Sequence, residues 1–310
     1  MVKKGFILLG FLLGVNSVCS QEVQNDPALE KELQEIIDDF KGVAGVYVYN
    51  LATKKEAGIY ADTVFPTASI VKVPILAALF QKIENGELSL TDSLFYNKER
   101  IYGGSGLMQF YKDSTKTDLR NVVTLMITYS DNVASLWSQE LAGGGEEINK
   151  IMEGIGLTHT RVNSRTKGRE EIWEKYGWGQ TTPREMASIL VKIRNRELVS
   201  EAASDEMYRM LSNSFYTEYS LSQIPPYVQA ASKQGMVNQS KSELVMVNAP
   251  NGDYVFYIAT TDNEDESWKF DNEAWVLQRK ISSFLWNYFE PDAGWKPAKD
   301  SEALIQGQEP

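Results

Sequence analysis

Apolar residues fall at helical spacing from Pro27 to Phe40, where Leu29, Leu33, Ile36 and Ile37 share one face, and this predicts an amphipathic first helix. The period then drops to two. Val46 and Val48 alternate with Tyr47 and Tyr49 between Val43 and Leu51, and after a polar turn at Thr53 to Lys55 a second short strand is expected near Ala57 to Tyr60. Helical spacing returns from Ser69 to Asn85, with Ile75, Leu79 and Ile83 on one side and Gly86 as a stop. Pro74 would break a helix interior but costs little in a first turn, so this helix begins close to Ser69. Asp118 to Thr128 carries Leu119, Val122, Val123 and Met126 at core spacing. Thr182-Pro183-Arg184-Glu185 reads as a capping box with proline at the first helical position, leading into Met186, Ile189, Leu190 and Ile193. Strands are expected again at Tyr227 to Val237, Leu244 to Asn248 and Tyr254 to Thr260, the last two joined by the hairpin signal Pro250-Asn251-Gly252-Asp253. A helix from Ala274 to Phe289 closes the pattern.

Strands early, helices in the middle and strands late predict an α/β fold of the α+β kind. One antiparallel sheet is built from both chain ends and flanked by helices, with an all-helical subdomain inserted into it. The expected boundaries are 21–289 for one catalytic domain, its α/β part at about 27–61 and 221–289 and its helical part at about 62–220. The junction of sheet and helical part is the natural place for a cleft. From Glu290 onward Pro291, Gly294, Pro297, Gly307 and Pro310 interrupt a polar run, so 290–310 is expected to be a disordered tail. At the other end Lys3 and Lys4 precede the apolar run Gly5 to Val15, and small residues follow before Gln21. Residues 1–20 therefore read as a secretory signal released near Ser20, and the mature protein is expected to be secreted or periplasmic. The apolar run is too short for a stable membrane anchor.

Composition narrows the chemistry. The only cysteine, Cys19, lies in the signal; it could accept a lipid, but Val18 before it favours simple cleavage, and no disulfide or thiol chemistry is expected of the mature chain. A net charge of −11 makes nucleic acid an unsuitable partner. One histidine, His159, sits in a polar, turn-like segment, so a histidine metal site is excluded and hydrolytic chemistry has to run without imidazole. No metal or other cofactor is expected, and a monomer acting on a small molecule is the simplest reading.

Ser69-Ile70-Val71-Lys72 then stands out, because residues three apart on a helix share a face and the amine can reach the hydroxyl. Lysine serves as a base for such a serine only when burial or neighbouring positive charge lowers its pKa. Ser130-Asp131-Asn132 follows at a helix end and Lys233-Gln234-Gly235 on an expected strand. Each alone reads as a capping turn or a solvated strand end. In this order, Ser-x-x-Lys, Ser-Asp-Asn and Lys-x-Gly resemble the motif set of class A serine β-lactamases and penicillin-binding proteins. The resemblance extends over Ser105-Gly106-Leu107, the run from Leu125 to Asn132, Gly156-Leu157-Thr158 and Thr181-Thr182-Pro183, or roughly residues 30 to 289.

The resemblance implies a β-lactamase/transpeptidase-like fold and a role for each motif residue. Ser69 would attack the lactam carbonyl, with Lys72 helping to take its proton and Ser130 relaying one to the leaving nitrogen. Asn132 would bind the substrate amide, and Lys233, Gln234 and Gly235 would line the substrate site. The backbone N–H groups of Ser69 and Met236 would form the oxyanion hole. The sequence departs from the family at two points. The family's Glu-x-x-Leu-Asn, whose glutamate activates the deacylating water, is missing, and its place falls on Thr166 or Lys167. Glu170, Glu171 and Glu174 follow closely; each reads as a solvated loop acid unless a rebuilt loop swings one into the site. Gln234 stands where the family has a hydroxyl residue. Three functions stay open: a β-lactamase working through a Ser69 acyl-enzyme, a slow-turnover penicillin-binding protein or sensor, and a serine peptidase or esterase acting on a related amide or ester.

Overall fold

The computed structural model describes residues 23–297. The expected signal with Cys19 and the last residues of the expected tail lie outside the described residues. The chain begins with β1 (Gln24–Asn25), α1 (Pro27–Ile37), β2 (Val43–Asn50), β3 (Lys55–Ile59) and β4 (Phe65–Pro66). A 3-10 turn at Ala68–Val71 leads into α2 (Lys72–Glu84), followed by β5 (Ser93–Phe95), β6 (Lys116–Asp118), α3 (Leu119–Thr128), α4 (Asn132–Leu141) and α5 (Gly144–Gly154). Then come β7 (Arg161–Val162), α6 (Glu170–Tyr176), β8 (Gly179–Thr181), α7 (Pro183–Arg194) and α8 (Glu201–Leu211). The end of the chain supplies β9 (Ala230–Val237), β10 (Ser240–Val247), β11 (Tyr254–Thr261) and α9 (Glu273–Phe289).

The main sheet runs β1-β3-β2-β11-β10-β9, so strands from the start of the chain pair with strands from its end through β2 and β11. All its pairings are antiparallel except the two-residue contact of β1 with β3. This is the α/β architecture expected from the pattern, with helices on both faces. Side-chain alternation divides the core accordingly. Leu244 and Met246 of β10 and Val255, Tyr257 and Ala259 of β11 face the helical part. Val245, Val247, Tyr254, Phe256 and Ile258 face the layer made by α1 and α9. Both faces are covered, which is why β10 and β11 read as nearly continuous apolar runs.

Several expectations change in detail. α2 is not one-sided: every residue from Lys72 to Phe80 is buried, because the helix runs through the middle of the helical part. The capping box at α7 is only half made. Thr182 accepts from the Glu185 N–H, but the Glu185 carboxylate turns away to accept the N–H groups of Thr158, His159 and Thr160 at 2.7–3.0 Å. Burial would raise the Glu185 pKa, yet the Thr160 hydroxyl and the His159 and Thr158 groups outweigh it and hold the carboxyl below its usual range. At the far end the packed chain passes residue 289. Glu290 is buried and accepts the Asn251 N–H, and Trp295 meets Trp286 edge-on with centroids 6.3 Å apart. Among the described residues no helix is long and apolar enough to cross a membrane.

Candidate active site

Ser69 sits in the 3-10 turn, half-buried, one residue after Ala68, whose φ of 43° is left-handed. A non-glycine residue held there costs free energy that the surrounding packing has to supply. The turn hands over to α2 at Lys72, and Pro74 is then the third helical residue, where its missing N–H costs no intrahelical bond. Lys72 thereby lies one helical step below Ser69. Its Nζ is 2.9 Å from Ser69 Oγ, 3.0 Å from Ser130 Oγ, 3.0 Å from Asn132 Oδ1 and 2.5 Å from the Ser130 carbonyl.

Ser130 and Asn132 reach this point because α3 stops just before them. Ser130 adopts a left-handed φ of 53° after the helix, and the Asp131 N–H returns to the Leu125 carbonyl at 3.1 Å. Asp131 next caps α4 by accepting the Ala134 N–H at 2.9 Å, and its second oxygen accepts the N–H groups of Leu107 and Met108 at 2.6 and 2.8 Å. The triplet is thus a capping turn and a site element at once. Gly106 is required beside it: its φ is 112°, and a Cβ there would stand 2.3 Å from the Asp131 carboxyl.

Lys233 enters from β9, the edge strand. Alternation puts Ala231, Lys233 and Gly235 on the face towards the helical part. Lys233 Nζ donates to Ser130 Oγ at 3.0 Å and to the Gln234 carbonyl at 2.8 Å, so Ser130 Oγ lies between two amines. Both lysines are fully buried. Burial, and then the charge of Lys233, push the Lys72 pKa well below its ordinary value against the opposing pull of Asp131. Burial also brings Lys233 down to about 7, against the opposing charge of Glu243. Glu243, on β10, is itself pushed up to about 7 by burial, with the Ser220 N–H bonded to it at 2.8 Å.

Gly235 lets β9 touch the Ser69 turn. A Cβ at this position would stand 2.2 Å from the Thr67 carbonyl and 2.9 Å from Ile70 N. Met236 follows and lines a cavity of about 710 Å³ together with Ser69, Ser130, Asn132 and Gln234. The Gln234 amide points inward rather than into this space. Its Nε2 donates to Ser214 Oγ and the Tyr216 carbonyl at 2.9 Å each and to Ser232 Oγ at 3.2 Å.

The three glutamates after residue 169 are elsewhere. All are exposed on α6, and Glu170 and Glu174 line a different cavity with Thr166, Lys167 and Trp178. Thr166 is buried, donates to the Ser164 carbonyl at 3.0 Å, and packs against Gly145. The indole of Trp178, 5.8 Å from Lys72 Nζ, occupies that flank of the lysine and meets Tyr102 edge-on at 5.3 Å. No carboxylate is hydrogen-bonded to Lys72 among the described residues. His159 is exposed and its Nδ1 is 3.0 Å from Glu185, apart from the cavity that holds Ser69.

Sequence reasoning missed Tyr216, whose hydroxyl meets Ser105 Oγ at 2.9 Å, and the aromatic wall of the cavity formed by Tyr219, Trp268, Phe270 and Trp275. Polar, irregular stretches carry most of these residues, so no periodicity marked them. The concentration of aromatics between Trp268 and Trp275 was the one signal available.

The sequence profile of the beta-lactamase enzyme family matches residues 28–289. Beta-lactamase VEB-1 of Pseudomonas aeruginosa is 20% identical over 294 residues, covering 91% of this chain and 97% of that protein. Extended-spectrum beta-lactamase PER-1 of Pseudomonas aeruginosa is 20% identical over 68% of this chain and 70% of its own length. Among solved structures, PBP-A superposes with a TM-score of 0.78 at 25% identity, over 87% of this chain and 99% of PBP-A, and a mutant of PBP-A with the same scores is an acyl-enzyme complex with penicillin G.

Proposed function

Since the chain belongs to the beta-lactamase enzyme family, whose class A members are serine hydrolases, we propose that it opens the β-lactam amide by forming an acyl-enzyme on Ser69. One observation carries this reading: Ser69 Oγ, Lys72 Nζ, Ser130 Oγ and Lys233 Nζ form an unbroken chain with steps of 2.9, 3.0 and 3.0 Å. Neutral Lys72 has a lone pair to take the Ser69 proton as Oγ attacks the carbonyl carbon. The proton then passes by Ser130 Oγ to the lactam nitrogen as the C–N bond breaks, while Lys233 supplies positive charge at the same hydroxyl. The N–H groups of Ser69 and Met236 are the donors for the developing oxyanion. Asn132, held by Lys72 and by the Gly103 carbonyl at 3.1 Å, lines the cavity on the substrate-amide side. The acyl-enzyme complex of the PBP-A mutant with penicillin G supports the same covalent step here.

The absence of a carboxylate partner for Lys72 among the described residues, with Trp178 on its flank, favours a second reading in which the acyl group leaves slowly. A positioned general base contributes on the order of 10²- to 10⁴-fold, and the water that cleaves the ester would be without one. Steady-state hydrolysis of a chromogenic cephalosporin, compared with Ser69→Ala, tests the activity. Turnover above the variant supports a β-lactamase, and a single burst without turnover supports the slow acyl-enzyme. Identical inert traces for both proteins refute both readings. We propose that the protein acts outside the cytoplasm, after removal of residues 1–20.

A further inference from the structure

Trp268, Phe270 and Trp275 line the cavity that holds Ser69. Trp268 is 58% exposed and Phe270 39%. Large rings left open beside a nucleophile are a receiving surface for something apolar, since their exposure is otherwise costly. These rings are also fixed in place. Trp268 Nε1 donates to Asn238 Oδ1 at 2.9 Å, Trp268 meets Trp275 edge-on with centroids 5.9 Å apart, and Trp275 leans on Tyr219 at 5.1 Å.

The charges behind the rings decide what kind of group fits. The Arg279 guanidinium lies 4.6 Å from the Phe270 ring and donates to the Phe270 carbonyl at 2.7 Å. Buried Lys241 places its Nζ 5.6 Å from the Trp268 ring and 5.4 Å from the Trp275 ring. Neither Arg279 nor Lys241 lines the cavity, so the electron-rich faces are already engaged from the protein side, and a second cation in front would be opposed. Glu218 also lines the cavity, where it opposes an anion and its charge is set against Arg279, and an anion gains little from the neighbouring Gln234 amide, whose donors are committed to Ser214, Tyr216 and Ser232.

We infer that Trp268, Phe270 and Trp275 form a subsite for an uncharged aromatic group of the substrate, carried on the part that extends past Gln234 and Met236. This deepens the reading of Ser69 as an acylated nucleophile and rests on it. The subsite selects by stacking and burial, which reward planar apolar groups and discriminate against small ones.

The test compares a cephalosporin bearing an arylvinyl group at the ring position remote from its acylamino chain with the same nucleus bearing methyl there. Acylation rate constants of the full chain, read by intact mass after rapid quench, are divided by each compound's rate of hydrolysis by hydroxide to remove intrinsic reactivity. The corrected preference for the arylvinyl compound is expected to be about tenfold in the wild type and to approach one in Trp268→Ala. A preference near one in the wild type overturns the subsite. So does a preference that survives Trp268→Ala in a variant with unchanged thermal unfolding. If neither compound acylates Ser69, calorimetric binding to Ser69→Ala separates the two ideas. Tighter arylvinyl binding that Trp268→Ala abolishes upholds the subsite while the β-lactam reading fails, and equal binding of both compounds overturns the subsite.

Discussion

The ring centre of the Trp178 indole lies 5.8 Å from the Nζ of Lys72 and occupies one flank of that lysine. Glu170 and Glu174 are separated from Ser69 by this arrangement, since they line the other cavity, which Trp178 also lines. The triple variant Glu170→Gln, Glu171→Gln, Glu174→Gln is therefore expected to release an acyl group at the wild-type rate. Single-turnover mass spectrometry checks this, and a clear slowing in the variant would assign one of these carboxylates to the deacylating step.

Lys72 acts as a base only when neutral, and burial together with Lys233 holds its pKa well below the ordinary lysine value. A lowered pKa puts the neutral form within reach at lower pH. Acylation is accordingly expected to fall on the acid side as Lys72 gains its proton, to rise as pH climbs through that pKa, and to fall again above about 7 as Lys233 loses the charge it holds at Ser130. Lys72→Arg stays protonated throughout and is expected to lose on the order of 10²- to 10⁴-fold in acylation rate, with no rising limb in a stopped-flow pH series.

Gly235 is the point where β9 meets the Ser69 turn. Gly235→Ala would drive a methyl into the Thr67 carbonyl and Ile70 N, so the turn and strand must part. A loss of about 1–3 kcal/mol in stability is expected. If the N–H groups of Ser69 and Met236 form the proposed oxyanion hole, acylation should fall further than stability accounts for, because parting strand and turn separates them. Denaturant unfolding measured beside acylation kinetics separates the two effects.

Gln234 ties β9 to the 214–216 segment through its amide. Gln234→Ala removes the donor to the half-buried Ser214 and Tyr216 and to buried Ser232 and is expected to cost about 1 kcal/mol, read as a lower midpoint in urea at unchanged slope. A neutral outcome would mean that the segment holds itself.

Periodicity was enough to place the main sheet and helices α1, α3, α7 and α9, because alternation on β2 and helical spacing on α1, α3 and α7 each reflect a face that is buried, whereas α4, α5, α6 and α8 were not singled out within the helical middle. It misjudged α2, whose all-round burial shows no clean stripe, and it missed β1, the three-stranded β4-β8-β7 and the pair β5-β6, whose strands are too brief to carry a period. Ser69, Lys72, Ser130 and Lys233 were legible as residue types at characteristic spacing, and the fold brings them within hydrogen-bond reach. Other features had no local signal. That Gln234 turns inward depends on Ser214 and Tyr216, and that Trp178 flanks Lys72 depends on the 163–178 loop, whose Asn163 and Ser164 N–H groups both return to the Trp178 carbonyl.

The most direct measurement is intact mass of the full chain after brief exposure to a penicillin, in the wild type and in Ser69→Ala. The expected result is a wild-type shift equal to the whole penicillin, located on the peptide containing Ser69, with no shift in Ser69→Ala. An unshifted wild type that also leaves the penicillin intact, or equal labelling of Ser69→Ala, would contradict an acylating centre at Ser69.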